Sequence, residues 1–239
     1  MIIVNNRGRL GNSLFQYAFA RIIHEKTGQR LVPQWKNNKI PEIKVIEGTI
    51  KKNYSLIKDY DEYEGNIINI DEITQHNCGF ILDGFFQHKS YYESRRNMIK
   101  SWLFDVKKTE LDTVAIHLRF DDYTQINWHL PESYYDECLK LSSSKKLLIF
   151  TDDPNHNYVK KMISLGGELS NLSDVDDLKK MASCNEIIMS RSSYSWWAAF
   201  LSNADKIYFP RPKEGWWSMK DTPHKDLFLS FPEYKIVEI

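Results

Sequence analysis

Short apolar runs alternate with helix-periodic segments throughout the second half of the chain. Four runs predict buried strands: the start of residues 114–123, and residues 145–150, 186–189 and 206–209. Segments that begin near residues 131, 177 and 190 repeat apolar side chains every three to four positions, which is the period of a helix. Strands and helices that alternate in this way predict a parallel, doubly wound α/β domain.

The first half begins with a similar unit. Residues 2–4 predict a strand, residues 5–12 form a glycine-containing turn, and a helix with one apolar face follows until Gly28, a plausible C-cap. The helix N-terminus offers N–H groups to an anion or a hydroxylated ligand, although turn geometry alone also explains the glycines. The glycine spacing matches neither the dinucleotide fingerprint nor a Walker loop.

The remainder of the first half is less regular. Residues 80–82 predict a strand, residues 84–88 the turn at its end, and residues 91–103 a helix. In that turn, Gln87 and His88 are candidates for contact with a polar ligand, or they are solvated loop residues. Between residues 33 and 75 the pattern assigns no element.

A charged segment at residues 105–112 is the best linker candidate. It predicts two domains, residues 1–105 and residues 106–239, each long enough to bury a core. The C-terminal tail is too aromatic for a disordered segment, so we expect it to pack back on the body. Its aromatic residues include Trp216 and Trp217.

Composition excludes several classes of function. The 239 residues carry a net charge of zero, so no global field favours nucleic acid or an anionic membrane, and any phosphate site must be local. The three cysteines, Cys78, Cys138 and Cys184, are widely spaced and form no metal-ligand motif, which favours a reducing compartment. No signal peptide or membrane span is apparent, and we expect a cytoplasmic protein.

The strongest chemical candidates follow the strand that begins at Val114. Strand alternation predicts that His117 and Arg119 share one face, and Asp121 and Asp122 lie in the next turn. Ligands bind at this end of the strands in open α/β sheets, and a guanidinium group suits phosphate. The alternative is a surface salt-bridge cluster.

Two further strand ends carry polar groups. Asp152 and Asp153 suit ribose hydroxyls or a base N–H, or they cap a helix. Arg191 precedes a run of hydroxyls at the start of a helix, where they predict a phosphate cradle. The serines concerned are Ser192, Ser193 and Ser195. Trp196 and Trp197, which continue that helix, are expected in the core rather than against a ligand.

Four stretches together resemble one family, the α-1,2-fucosyltransferases of glycosyltransferase family 11, whose members use GDP-fucose. Residues 8–18 are similar to its opening Gly-x-Leu-Gly-Asn-Gln-Leu-Phe-Gln-Tyr-Ala, and residues 84–91 to its Gly-aromatic-aromatic-Gln-Ser turn. Residues 117–123 resemble its His-x-Arg-Arg-x-Asp-Tyr motif, and residues 192–197 resemble the end of its Asn-Ser-Ser-Phe-Ser-Trp-Trp motif. Their order and spacing cover nearly the whole chain.

The resemblance implies a GT-B-like fold of two Rossmann-type domains with parallel sheets that face a cleft. It implies inverting, metal-independent transfer of fucose from GDP-fucose, in α-1,2 linkage, to a hydroxyl of a glycan that plausibly ends in galactose. The glycan is free or lipid-linked, which leaves peripheral contact with a membrane open. No other cofactor and no nucleic acid are expected.

The resemblance also assigns roles. Arg119 would hold the β-phosphate and stabilise the leaving group, and His117 would support that site. Asp152 or Asp153 would hold guanosine, and the three serines would line the phosphate side. Asp122 or Asp121 would act as the base, or the departing phosphate would take the proton. Acceptor contacts would lie in the first domain, with these candidates: Gly11, Asn12, Gln16, Gln87 and His88.

Two positions depart from the family pattern. Phe120 stands where the family has its second arginine, and Arg191 stands where it has asparagine. We hypothesise that Arg191 replaces the missing guanidinium group. Two competing functions stay open: transfer of another sugar from a different nucleotide sugar, and non-catalytic binding of a sugar nucleotide or glycan.

Overall fold

The structure is a computed structural model that describes residues 1–34, 40, 43–59, 67–211 and 227–239. These residues form two compact units, one from residues 1–103 with Leu227, the other from residues 104–211 and 228–239. Trp216 and Trp217, assigned above to the packed tail, lie outside the described residues.

The first unit is a small α/β layer. In chain order it contains β1 (Ile2–Asn5), α1 (Leu10–Thr27), β2 (Leu31–Gln34), β3 (Tyr54–Asp59), α2 (Ile70–Ile73), β4 (Gly79–Gly84), 3₁₀ turns at Lys89–Tyr91 and Glu93–Arg95, and α3 (Arg96–Trp102). Its described strands make a four-stranded parallel sheet in the order β2-β1-β4-β3. Helix α1 ends as predicted at Gly28, whose φ of 60° is left-handed and whose N–H bonds the carbonyl of His24.

Strand β3 lies in the segment that the sequence left unassigned, and β2 begins just before that segment and ends in it. Both are edge strands, β2 is only four residues long, and β3 alternates exposed and half-buried positions. Neither therefore shows the continuous apolar signal of a central strand. The helix predicted at residues 91–103 is shorter than expected, because 3₁₀ turns occupy much of its first part.

The second unit is a larger parallel α/β layer. It contains β5 (Glu110–Leu118), α4 (Asp121–Gln125), α5 (Glu132–Leu141), β6 (Lys146–Thr151), α6 (Asn157–Ser164), β7 (Glu168–Leu169), α7 (Asp174–Ala182), β8 (Cys184–Ile188), α8 (Ser193–Leu201), β9 (Lys206–Arg211) and β10 (Tyr234–Glu238). Its described strands pair in the order β10-β9-β8-β5-β6-β7, all parallel. Renumbered within the unit, this is the 3-2-1-4-5-6 order of a Rossmann sheet.

Some element boundaries differ from the predictions. Strand β5 begins at Glu110, inside the segment interpreted as a linker, because its first three residues are exposed or half-buried and give no apolar signal. Helix α7 begins at Asp174 rather than 177, since the Ser173 side chain accepts a hydrogen bond from the Asp176 N–H and caps it. The sequence did not predict α6 or the two-residue strand β7.

The core of the second unit is apolar and aromatic. Trp196 and Trp197 are fully buried on α8, as predicted. Strand β10, from the C-terminal tail, adds an edge to the sheet by parallel pairing with β9. Among the residues described, no helix is both long enough and apolar enough to cross a bilayer.

Candidate functional site

The site is organised by the point where the strand order reverses. Successive strands run outward from β5 through β6 and β7 on one side, and from β8 through β9 and β10 on the other. The reversal point therefore lies between β5 and β8. Loops that leave the carboxyl ends of two such strands diverge, and the crevice between them is where open α/β sheets bind ligands. His117 lies at the end of β5, and Ser190 follows the end of β8. Their side chains meet there, with His117 Nδ1 2.6 Å from Ser190 Oγ.

His117 contributes orientation rather than charge. The ring is buried, and burial together with the neighbouring Arg119 lowers the pKa of His117 to about 3. The imidazole is therefore neutral near pH 7 and forms a hydrogen bond with the Ser190 hydroxyl. The Tyr194 ring covers it at a centroid distance of 5.3 Å. The expected proximity of His117 to the basic group is present, but the imidazole is not a second cation.

The three serines that were predicted to form a phosphate cradle have different roles. Ser192 caps α8, because its hydroxyl accepts a hydrogen bond from the Tyr194 N–H at 3.2 Å. Ser195 is fully buried, with its hydroxyl 3.1 Å from the carbonyl oxygens of Ser190 and Ser192. Both serines shape the helix start. Ser193 is half-buried in the first turn of α8, a part of a helix whose N–H groups favour negative charge.

Arg119 is held by carboxylates on two sides. Its Nη2 donates to Asp122 Oδ1 at 2.6 Å, and its Nη1 lies 2.9 Å from Asp152 Oδ2. Its side chain is 14% exposed, whereas that of Asp122 is 48% exposed. The ion-pair cluster that the sequence left as an alternative is therefore present. It lies at the reversal point, and one of its two carboxylates faces solvent.

Asp152 supports the loop that carries Arg119. Its Oδ1 accepts hydrogen bonds from the Phe120 and Asp121 N–H groups at 2.9 and 3.3 Å, which fixes the start of α4. Asp153 accepts a bond from the Asn155 N–H at 3.0 Å and is half-buried. Of the two aspartates predicted to hold guanosine, Asp152 is thus committed to the protein itself.

Three carboxylates lie close enough together to bind a single cation. Oxygen atoms of Asp121, Asp122 and Asp152 lie within 4.8 Å of one another. The Arg119 guanidinium is paired with two of these groups, Asp122 and Asp152, and already supplies the positive charge that a metal ion would bring.

Phe120 and Arg191 occupy the two positions that depart from the family pattern. Phe120 is buried and stacks on His156 at a centroid distance of 3.7 Å and an interplanar angle of 13°. It belongs to the hydrophobic core of the second unit. Arg191 Nη1 donates to the Trp128 carbonyl at 3.4 Å, and its guanidinium lies 5.6 Å from the Trp128 ring centroid. Burial lowers the pKa of Arg191, although a guanidinium stays protonated at neutral pH.

Sequence reasoning missed several residues around this site. Ser190 and Tyr194 contact His117, and Tyr123 and Trp128 contact the two arginines. The available signal was the pair of aromatic residues Tyr123 and Trp128, four and nine positions after Arg119. Their contact with a residue near position 191 depends on β5 and β8 being neighbours, which no local pattern reveals.

In the first unit, the predicted acceptor residues cluster after β1 and β4. Gln16 is fully buried and clamps the preceding loop: its Oε1 accepts from the Arg7 N–H at 3.1 Å, and its Nε2 donates to the Arg7 carbonyl at 3.0 Å. Gln87 Nε2 donates to Asn12 Oδ1 at 2.8 Å, which joins two of the predicted residues.

The other two predicted residues of this cluster, Gly11 and His88, are both buried. Gly11 is buried in the first turn of α1. His88 Nδ1 lies 2.7 Å from Ser90 Oγ. An ion pair that sequence reasoning missed, Arg7 Nε to Asp83 Oδ1 at 2.7 Å, borders this cluster.

Six parallel strands in Rossmann order, with charged and hydroxyl side chains at the reversal point, define a Rossmann-type α/β protein. The chain belongs to glycosyltransferase family 11: the model of that family, described as Glycosyl transferase family 11, matches residues 1–216. It is therefore a glycosyltransferase of a fucosyltransferase family.

Two other comparisons give more distant similarities. The O-antigen biosynthesis glycosyltransferase WbnK of Escherichia coli is 23% identical, over 84% of this chain and 90% of that protein. A crystal structure of the NodZ alpha-1,6-fucosyltransferase soaked with GDP-fucose covers 86% of this chain and 93% of its own, at 14% identity and a TM-score of 0.47.

Proposed function

We propose that this glycosyltransferase transfers fucose from GDP-fucose to a hydroxyl of a galactose-terminated glycan, with inversion and in α-1,2 linkage. Family membership supports sugar transfer, and the four motifs quoted above favour the donor and the linkage. The relation to an O-antigen glycosyltransferase favours a bacterial surface glycan, free or lipid-linked, as the acceptor class.

One observation carries the donor assignment. Two guanidinium groups, Arg119 and Arg191, follow the neighbouring strands β5 and β8 at the reversal point of a Rossmann sheet. A nucleoside diphosphate carries two adjacent phosphates, and arginine forks match phosphate oxygens geometrically. The first turn of α8, with Ser193, adds N–H and hydroxyl donors on the same side.

The contacts of Arg119 suggest how the site works. Asp152 holds one side of the guanidinium from a protected position, so the group keeps its place. Asp122, half exposed, is the partner that the β-phosphate displaces. As the bond from the sugar to the phosphate breaks, charge develops on the phosphate, and a guanidinium already in place stabilises that charge most effectively.

The remaining roles follow from the neighbours. Asp122, once displaced, or Asp121 removes the proton from the acceptor hydroxyl, unless the departing phosphate takes it. Asp153 is the carboxylate assigned to guanosine. Asn12, Gln87 and His88 are assigned to the acceptor.

We propose that the reaction needs no metal, because Arg119 supplies the charge within the carboxylate cluster. Activity in EDTA should equal activity in Mg²⁺ or Mn²⁺, and strong activation by either ion would refute this point. Cytoplasmic location stays a prediction.

The direct test is incubation with GDP-fucose and galactose-terminated oligosaccharides, with the product read by mass spectrometry. We expect a product one fucose heavier, with the α-1,2 linkage established by fragmentation or NMR. Arg119→Ala should abolish it. Arg211→Ala is the matched control, since Arg211 also lies at the end of a strand of this sheet and over an aromatic ring, Phe228 at 5.2 Å, but away from the reversal point.

A second donor is favoured by one observation, the burial of Phe120 where the family has an arginine. Testing a panel of nucleotide sugars separates the two donors. Failure of every donor to bind or react would leave a non-catalytic glycan-binding protein and overturn the enzymatic proposal.

A further inference from the structure

We propose that Trp128 is a positioning residue: with Tyr123 it forms an aromatic bracket that holds the Arg119 and Arg191 guanidinium groups as a pair facing the donor diphosphate. The aromatic bracket consists of Tyr123 and Trp128. The inference rests on the proposed function, because it assigns to the bracket a part in binding the same nucleoside diphosphate.

The four side chains form a continuous row. The guanidinium carbon of Arg119 lies 5.0 Å from the Tyr123 ring centroid, and that of Arg191 lies 5.6 Å from the Trp128 ring centroid. The two rings meet edge to face, with centroids 6.0 Å apart and planes at 89°. Each cation therefore has its own ring, and the rings contact each other.

Backbone contacts fix the bracket. The Trp128 N–H donates to the Tyr123 carbonyl at 2.8 Å, and the Trp128 carbonyl accepts from Arg191 Nη1 at 3.4 Å. The residue before Trp128, Asn127, has a φ of 53° and adopts the left-handed region that asparagine tolerates better than most residues. This turn after α4 brings the Trp128 ring back under Arg191.

The physical need for such a bracket follows from charge and entropy. Two guanidinium groups repel each other, and each long side chain loses rotamer freedom when it is held in place. The negative face of an aromatic ring attracts a cation and restricts it without neutralising it, unlike a carboxylate. Asp152 already restrains Arg119, so the larger gain comes from Arg191: an arginine held in place before the donor arrives binds a diphosphate more tightly than a mobile one would.

The half-exposed Trp128 ring has a second conceivable role, direct stacking on the donor. The two roles differ in their dependence on Arg191. A positioning residue acts through the arginine, so its substitution has no further effect once the arginine is gone. A stacking residue loses its contribution whether or not the arginine is present.

The experiment measures GDP affinity by calorimetry and the GDP-fucose KM and kcat, on the full chain. Trp128→Leu should weaken GDP binding and raise the donor KM by about tenfold while kcat changes by less than about twofold. Trp128→Phe keeps an aromatic face and should restore most of the affinity. Trp102→Leu is the control, because it removes a similar ring in the first unit, 5.4 Å from Arg21, and should leave GDP affinity unchanged.

The decisive step is a double-mutant cycle with Arg191→Ala. In that background, Trp128→Leu should change GDP affinity by less than about twofold. Independent, multiplicative effects would overturn the positioning role and indicate direct stacking. If Trp128→Leu does not fold by circular dichroism and thermal melting, Trp128→Met, which also removes the aromatic face, takes its place in the cycle with the same expected effect and the same criterion.

Failure of this inference can be told apart from failure of the proposed function. A wild-type protein that binds GDP and turns over GDP-fucose, with Trp128→Leu unchanged in affinity and KM, overturns the bracket alone. A wild-type protein that neither binds GDP nor uses any nucleotide sugar overturns the proposed function, and the bracket with it.

Discussion

Asp152 offers the sharpest test of how the site is assembled. Replacing it by alanine removes the acceptor of two backbone N–H groups, those of Phe120 and Asp121, and one of the two carboxylates that face Arg119. Replacing it by asparagine keeps an oxygen for the two N–H groups and removes only the negative charge. The pair of variants therefore separates support of the loop from pairing with the guanidinium group.

The magnitudes follow from burial. Leaving buried donors unsatisfied costs about 1–3 kcal/mol, and breaking one side of a buried ion pair costs about 3–5 kcal/mol. Arg119 keeps Asp122 as a partner, so removing the charge alone should cost less than a fully broken ion pair, about 1.5 kcal/mol for Asp152→Asn. Losing the N–H acceptor as well should raise the cost to about 3 kcal/mol for Asp152→Ala. At about 3 °C per kcal/mol for a chain of this length, the melting temperature should fall by about 9 °C and about 4 °C.

Calorimetry measures the melting temperatures, and hydrogen exchange of the Phe120 and Asp121 amides reports the loop directly. Both amides should lose protection in Asp152→Ala and keep most of it in Asp152→Asn. Equal destabilisation by the two substitutions, or unchanged exchange in the alanine variant, would refute the assignment of Asp152 to the loop.

Three further predictions concern other buried polar groups. The pKa of His117 is about 3 in the folded protein, against a usual value of 6.5, so the free energy of unfolding should fall as pH drops from 6.5 to 3. The expected slope is up to about 1.4 kcal/mol per pH unit. Urea unfolding at several pH values should show a flatter slope for His117→Gln. Gln16→Ala should lower the free energy of unfolding by about 2 kcal/mol, measured by urea unfolding, because two hydrogen bonds to the Arg7 backbone are lost. The same substitution releases the loop at Arg7, so it should raise the acceptor KM but not the donor KM. Burial by itself raises the pKa of Glu186, but hydrogen bonds, including one from Tyr208 at 2.9 Å, outweigh it and lower the pKa. Glu186→Gln should therefore destabilise the protein at neutral pH, with a penalty that shrinks as pH falls below the usual carboxyl range; a constant penalty would contradict this.

Much of the second unit could be predicted from the sequence because its signals are local. Interior strands such as β6 and β9 contain apolar runs, residues 147–150 and 207–209, and the helices between the strands carry the 3.6-residue period. The burial of Trp196 and Trp197 followed from their place on such a helix. The edge strands β2, β3 and β7 were not predicted because they are short or half-exposed and give no such local signal. Their pairing partners, rather than their own residues, define them.

The sequence by itself determined the alternation of strands and helices, the family, and the positions where charged groups leave the strands. Only the tertiary structure decided that β5 and β8 are neighbours, and hence that His117 meets Ser190 across 73 positions of sequence. It also decided that Arg119 is paired with Asp122 and Asp152, and that an aromatic bracket lies between the two arginines. The physical reason is that periodicity is set by residues a few positions apart, whereas strand order and side-chain pairing depend on the free energy of the whole packed sheet.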